Sequence, residues 1–128
     1  MDVWHGDNDA AWDHAQEELF AAGMTDGLPV TPPTRERVAA MLEHCGIYGD
    51  EVVTMLPPAF ETATWRDIAI NAVMAGCLPM HFPVVVAAWT AMMQEEFLLH
   101  GATASTGGCA VLLILNGPIR QEIGASSS

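Results

Sequence analysis

Between Asp9 and Ala22 the residues Trp12, Ala15, Leu19 and Ala22 recur at helical spacing, while Asp13, Gln16 and Glu17 point elsewhere. This pattern predicts an amphipathic helix stopped by Gly23. The run Asp26-Gly27-Leu28-Pro29-Val30-Thr31-Pro32-Pro33 cannot continue it, because proline removes a backbone donor and pushes the residue before it toward extended geometry. It reads as a stiff connector with Asp26 in an Asx turn. Thr34 is placed to cap a second helix, in which Val38, Met41, Leu42 and Cys45 repeat at i, i+3, i+4 and i+7 before Gly46. Leu56-Pro57-Pro58-Ala59-Phe60 reads as another rigid turn. Thr64, with Asp67 three residues on, predicts a boxed start to a third helix that carries Ile68, Ile70, Ala72, Val73 and Ala75 and closes at Gly76. Asn71 is its polar exception. A buried amide left unsatisfied costs about 1–3 kcal/mol, so Asn71 is expected to be a structural clamp or a site residue. Pro83 opens a fourth helix running to about Gln94. That helix is apolar almost all round, and is expected to be buried on more than one side as a central or interface helix.

The periodicity changes after His100-Gly101. Small and hydroxyl residues alternate from Ala102 to Thr106, Gly107-Gly108 is a turn signal, and Cys109 to Leu115 is a continuous β-prone apolar run bounded by Asn116-Gly117-Pro118. That run reads as a buried strand. The expected fold is therefore α/β or α+β, with about four helices followed by one or two buried strands. A lone strand needs neighbours, so the sheet is expected to be completed by another chain. Residues 1–8 read as an N-terminal arm, 9–124 as a single domain and 125–128 as a disordered tail.

Composition sharpens this picture. A chain of 128 residues has room for one core, yet 51% of it is hydrophobic and only 16% charged, with mean hydropathy +0.25. A small domain has a high surface-to-volume ratio and needs more polar cover than that, so the apolar surplus implies a buried subunit interface. The longest apolar run, Phe82 to Met93, falls short of the roughly 20 residues that span a bilayer. The acidic start, Met1 to Asp7, has no basic or apolar leader region, which predicts no secretory signal and a cytoplasmic address. Four Lys+Arg against sixteen Asp+Glu give a net charge of −12, which excludes a nucleic-acid or anionic-membrane partner, since both need clustered cations. The four cations, Arg35, Arg37, Arg66 and Arg120, are all arginine. Schiff-base chemistry, a pyridoxal-phosphate lysine and a Walker lysine are thus closed to this chain.

The candidate chemistry lies in the second half. Cys77, His81, His100 and Cys109 match transition-metal ligands in type and number, although Pro79 breaks the Cys77–His81 pair as a helical i, i+4 motif. With three cysteines and no C-x-x-C pair, free thiols are expected, and Cys77 and Cys109 read equally as small core hydrophobes. Cys109 follows two glycines whose amides can form an anion nest, with His100 as a base if the loop folds back. Thr103, Ser105 and Thr106 beside Gly107-Gly108 form a hydroxyl-rich cradle for a carboxylate or phosphate, or else a tight packed turn. The eight methionines lack M-x-x-M clustering and read as flexible filler.

Four segments carry a resemblance: Thr25-Asp26-Gly27-Leu28-Pro29-Val30-Thr31-Pro32-Pro33-Thr34, Ile70-Asn71-Ala72-Val73-Met74-Ala75-Gly76-Cys77, Leu99-His100-Gly101 and Asn116-Gly117-Pro118-Ile119. Together they resemble the N-terminal region of the UGSC-type (seleno)protein family, over about Trp12 to Ile123. Longer members of that family continue into a region with a Cys/Sec-Gly-Ser-Cys motif, which this sequence lacks. The resemblance therefore implies half of a site, the other half lying on a partner chain, with roles at Asn71, Cys77, His100, Asn116 and, more weakly, Thr106. The sequence reading is a subunit of an oligomeric enzyme, a lyase or hydrolase acting on a small polar metabolite at a subunit interface and needing no cofactor. His100, Cys109 and Cys77 are its candidate catalytic residues, and Asn71, Thr103, Ser105, Thr106 and Asn116 its candidate substrate ligands. The alternatives are a non-catalytic partner subunit in a homo- or hetero-oligomer, and a Cys/His metal-binding protein.

Overall fold

A computed structural model describes residues 9–56, 61–104 and 106–125. The chain is α+β. Four longer helices, α1 (Asp9–Ala21), α2 (Arg35–Cys45), α3 (Trp65–Met74) and α4 (Phe82–Met92), stand where the apolar periodicity placed them, joined by two short ones, α5 (Leu99–Thr103) and α6 (Ile119–Glu122). An antiparallel pair, β1 (Val52–Leu56) and β2 (Glu61–Thr64), aligns Leu56 with Glu61 and Thr54 with Ala63. The pair lies between α2 and α3, not after the helices as expected.

Local chemistry sets the helix ends. Thr34 caps α2 by accepting a hydrogen bond from the Arg37 N–H at 3.3 Å, and Gly46 ends it at φ 63°, in left-handed geometry that glycine adopts without steric cost. A reciprocal box starts α3, the Asp67 carboxylate accepting from the Thr64 N–H at 2.9 Å while Thr64 Oγ1 accepts from the Asp67 N–H. The connector 26–33 is non-helical, as its prolines require, and it is tied to two helices at Val30 and Thr31. Gln16 holds it to α1 by donating from Nε2 to the Val30 carbonyl and accepting from the Val30 N–H, both at 2.9 Å. The Thr31 N–H donates to the Met74 carbonyl. Asp26 forms the expected Asx turn, its Oδ1 accepting from the Leu28 N–H at 3.1 Å.

Since Thr31 precedes α2 and touches the end of α3, while the Arg66 N–H near the start of α3 donates to the Gly49 carbonyl just after α2, the two helices run antiparallel. Their facing residues form the core: Val38, Met41 and Leu42 against Ile68, Ala69, Ala72 and Val73, closed by Phe82 from the start of α4. Phe82 has 0% exposure.

Three expectations fail here. Cys109–Leu115 is neither a strand nor buried: it lies at the surface without regular secondary structure, with Leu112 81% and Ile114 84% exposed. The strands form instead from Val52–Leu56 and Glu61–Thr64, which are near neighbours in sequence and lose less entropy on pairing than two distant segments do. Helix α4 is less buried than expected, although Val85, Val86 and Trp89 pack against the core. Of its residues only Phe82 is buried, and the rest are half-buried or exposed. Asn71 is exposed rather than buried and spends its amide locally, Nδ2 donating to the Asp67 carbonyl at 2.8 Å. In α1, Ala15 and Leu19 are buried, but Trp12 remains 41% exposed. The turn expected at 57–60 and most of the expected arm and tail lie outside the described residues. Among those described, no helix is long and apolar enough to cross a membrane.

Emptying the Phe82 site leaves a cavity that neighbouring helices cannot fill. Phe82→Ala is expected to cost about 3–5 kcal/mol, read as a lowered urea midpoint with unchanged slope; a loss below about 1 kcal/mol would contradict this role for Phe82.

Candidate functional site

The segment after α4 reverses direction within a few residues. A 3-10 turn at Glu95–Phe97 is followed by Leu98 at φ 52°, a left-handed conformation that costs a bulky residue on the order of 1–3 kcal/mol. That reversal starts α5 and brings His100, its second residue, back over the end of α4 toward the hairpin. The outcome is a groove of about 220 Å³. Thr54, Met55 and Leu56 of β1 form one wall, and Met92, Met93, Leu98 and Leu99 supply apolar surface on the other. Its polar groups are His100, Glu95, Gln94 and Thr54, with Gln94 tied back by a 3.0 Å bond from Nε2 to the Thr90 carbonyl. One imidazole and one carboxylate in a methionine-lined trough can exchange protons with a small bound molecule.

The other sequence-predicted residues do not gather there. Among the described residues, neither Asn71, Cys77, Cys109 nor Asn116 lines the groove. Cys77 is half-buried just beyond α3, and burial pushes its thiol pKa up, as it does that of Cys45. Both are therefore held as thiols at neutral pH, the form that is a poor nucleophile and a poor metal ligand. His81 serves its own turn, Nδ1 accepting a 3.0 Å hydrogen bond from the Leu78 N–H. The set Cys77, His81, His100 and Cys109 is not brought together: among the described residues no three His, Cys, Asp or Glu side chains are placed to share a metal. Thr106 and Cys109 are exposed on either side of the Gly107-Gly108 turn. Asn116 is exposed, its Oδ1 accepting from the Gly117 N–H at 2.9 Å. Ser105 and the side chain of Thr103 fall outside what the structure describes.

Sequence reasoning missed the β1 wall. The signal was there, since Val52-Val53-Thr54-Met55-Leu56 is rich in β-branched residues and ends at Pro57-Pro58. A further gap of about 360 Å³ separates Leu113, Ile114 and Leu115 from Pro83, Val84 and Ala87 of α4, so the exposed apolar segment borders the apolar face of that helix.

Comparison of the chain with models of known protein families, with curated proteins and with solved structures found no match.

The thiols give a direct check on this arrangement. In dilute protein at pH 7, iodoacetamide is expected to modify Cys109 before Cys45 and Cys77, because Cys109 alone of the three is exposed. Labelling of the other two is expected to rise steeply only under alkaline conditions, where their raised pKa values are passed; equal rates for all three at pH 7 would contradict the placement.

Proposed function

We propose that this chain is one subunit of an oligomeric enzyme, handling a small polar metabolite at a site completed by another chain. The observation that carries the proposal is Cys109–Leu115, seven residues of apolar, irregular chain that make no backbone hydrogen bond with the described residues and expose Val111, Leu112, Leu113 and Ile114. Burying one such aliphatic side chain is worth about 1.5–3 kcal/mol, and an exposed β-prone run of this kind is a template for pairing with another polypeptide. The segment borders the half-buried face of α4, so the two offer one continuous apolar surface. The segment meets the start of α4 and the His100 groove lies at the helix's other end, so in this reading the docked chain runs along α4 to reach the groove.

In this reading His100 is the acid/base group, Glu95 and Thr54 are polar neighbours, and the reaction is a lyase or hydrolase step in the cytoplasm. The resemblance to the UGSC-type family supports the same division, in which the remainder of the site comes from a second polypeptide. A second reading, a non-catalytic partner subunit, is favoured by the scatter of Asn71, Cys77, Cys109 and Asn116 away from the groove.

Native mass spectrometry of untagged protein from its own cells is expected to show complexes larger than 13.7 kDa, and a Leu112→Asp/Ile114→Asp variant is expected to appear as the free chain with unchanged circular dichroism. Recovery of the unaltered protein as a monomer would contradict assembly. Incubated with a metabolite extract, the assembly is expected to deplete a small polar metabolite, and His100→Ala to slow that depletion by about 100-fold with the complex intact. Depletion at an unchanged rate would favour the non-catalytic reading.

A further inference from the structure

A larger concavity than the His100 groove lies elsewhere. Between the antiparallel helices α2 and α3 lies a groove of about 470 Å³, its floor formed by Val38, Ala39, Leu42 and Ile70 and its polar lining by Arg35 and Arg66. Two features set it apart. Val38 and Leu42 belong to the buried core, so the groove opens directly onto the apolar interior. Its charge is also opposite to that of the protein: in a chain of net charge −12, two of only four cations line this one groove, and no acidic side chain does.

The two arginines are not equivalent. Arg66 is engaged by Asp50, whose Oδ1 accepts from Nη2 at 2.7 Å and from Nε at 3.1 Å. The Arg35 guanidinium makes no hydrogen bond or ion pair with the described residues, and it is exposed at the first residue of α2. From Arg35 to Leu42 the helix rises about 10 Å. The groove thus offers a cationic end, an apolar trough and a second, partly neutralised cation alongside the trough. Its volume falls in the range of roughly 300–1,000 Å³ typical of small-molecule sites.

We propose that this groove binds a small amphipathic anion, an acyl or alkyl chain carrying a carboxylate or phosphate head, with the head on Arg35 and the chain over Val38, Leu42 and Ile70. A neutral apolar molecule leaves the guanidinium unused, and a cation is repelled by it. An anion without a tail gains nothing from the trough, so charge and shape together select the amphiphile. This site is separate from the His100 groove, and the proposal does not depend on assembly.

The test is an NMR titration of the full chain with octanoate, octyl phosphate, octanol and octylamine, each below its micelle concentration. Octanoate or octyl phosphate is expected to shift the amides of Val38, Ala39 and Ile70 and to bind at least about tenfold more tightly than octanol or octylamine, the scale of one charge-assisted hydrogen bond. The tighter of the two anions identifies the head group. Arg35→Gln is expected to bring the anions down to the octanol level, Arg35→Lys to retain part of the gain, and Arg120→Gln on α6 to change nothing. Arg35 is exposed and engages no described side chain, so its replacement leaves the fold intact. Binding of octanol as tight as octanoate, an unchanged affinity in Arg35→Gln, or no shifts in the groove would each overturn the proposal.

Discussion

The structure depends on one packing contact, the antiparallel face of α2 against α3 closed by the Phe82 ring. Everything else is positioned from it. The connector is tied to it through Thr31 and Met74, and the hairpin leads into α3 through the Thr64–Asp67 box. Helix α4 starts at Phe82 and lays Val85, Val86 and Trp89 half-buried against the same core. Such a core is small for a chain that is half hydrophobic, and the surplus has to lie somewhere. It lies in part on Val111–Ile114, beside α4, and in part on single exposed residues such as Phe20, Leu28 and Leu98.

Helices were legible wherever local chemistry alone specified them. Thr34 and Gly46 fixed the ends of α2, and Val38, Met41 and Leu42 turned inward as their spacing required. Thr64 and Asp67 announced α3 in the same way. Burial was less legible, because it depends on what covers a residue. Asn71 sits among apolar neighbours in sequence but on an outward face in space, where its amide bonds back to Asp67. The seven residues from Cys109 have the composition of an interior strand, and composition cannot distinguish a strand buried by its own chain from one left for another. The hairpin was overlooked for the opposite reason: β1 and β2 are short, and Glu61 and Thr62 dilute the apolar signal of the second strand.

Legibility of the site was weaker still. His100 could be singled out as a histidine at an element boundary, and the structure does place it in a groove, but the partners that surround it come from β1 and from the end of α4. The other candidates were grouped by chemical type, and type alone does not create proximity. His81 and Asn116 satisfy turns next to them in sequence. The groove at His100, at the end of α4, is separate from the cationic one that opens onto the core.

The account rests on the uncovered surface being the place where another polypeptide binds. Amide hydrogen exchange of residues 109–115 in the native assembly, compared with the isolated chain, measures this most directly. Strong protection confined to the assembly, with rapid exchange in the isolated chain, is the predicted result. Equally rapid exchange in both would show that nothing pairs with this segment and would contradict the account.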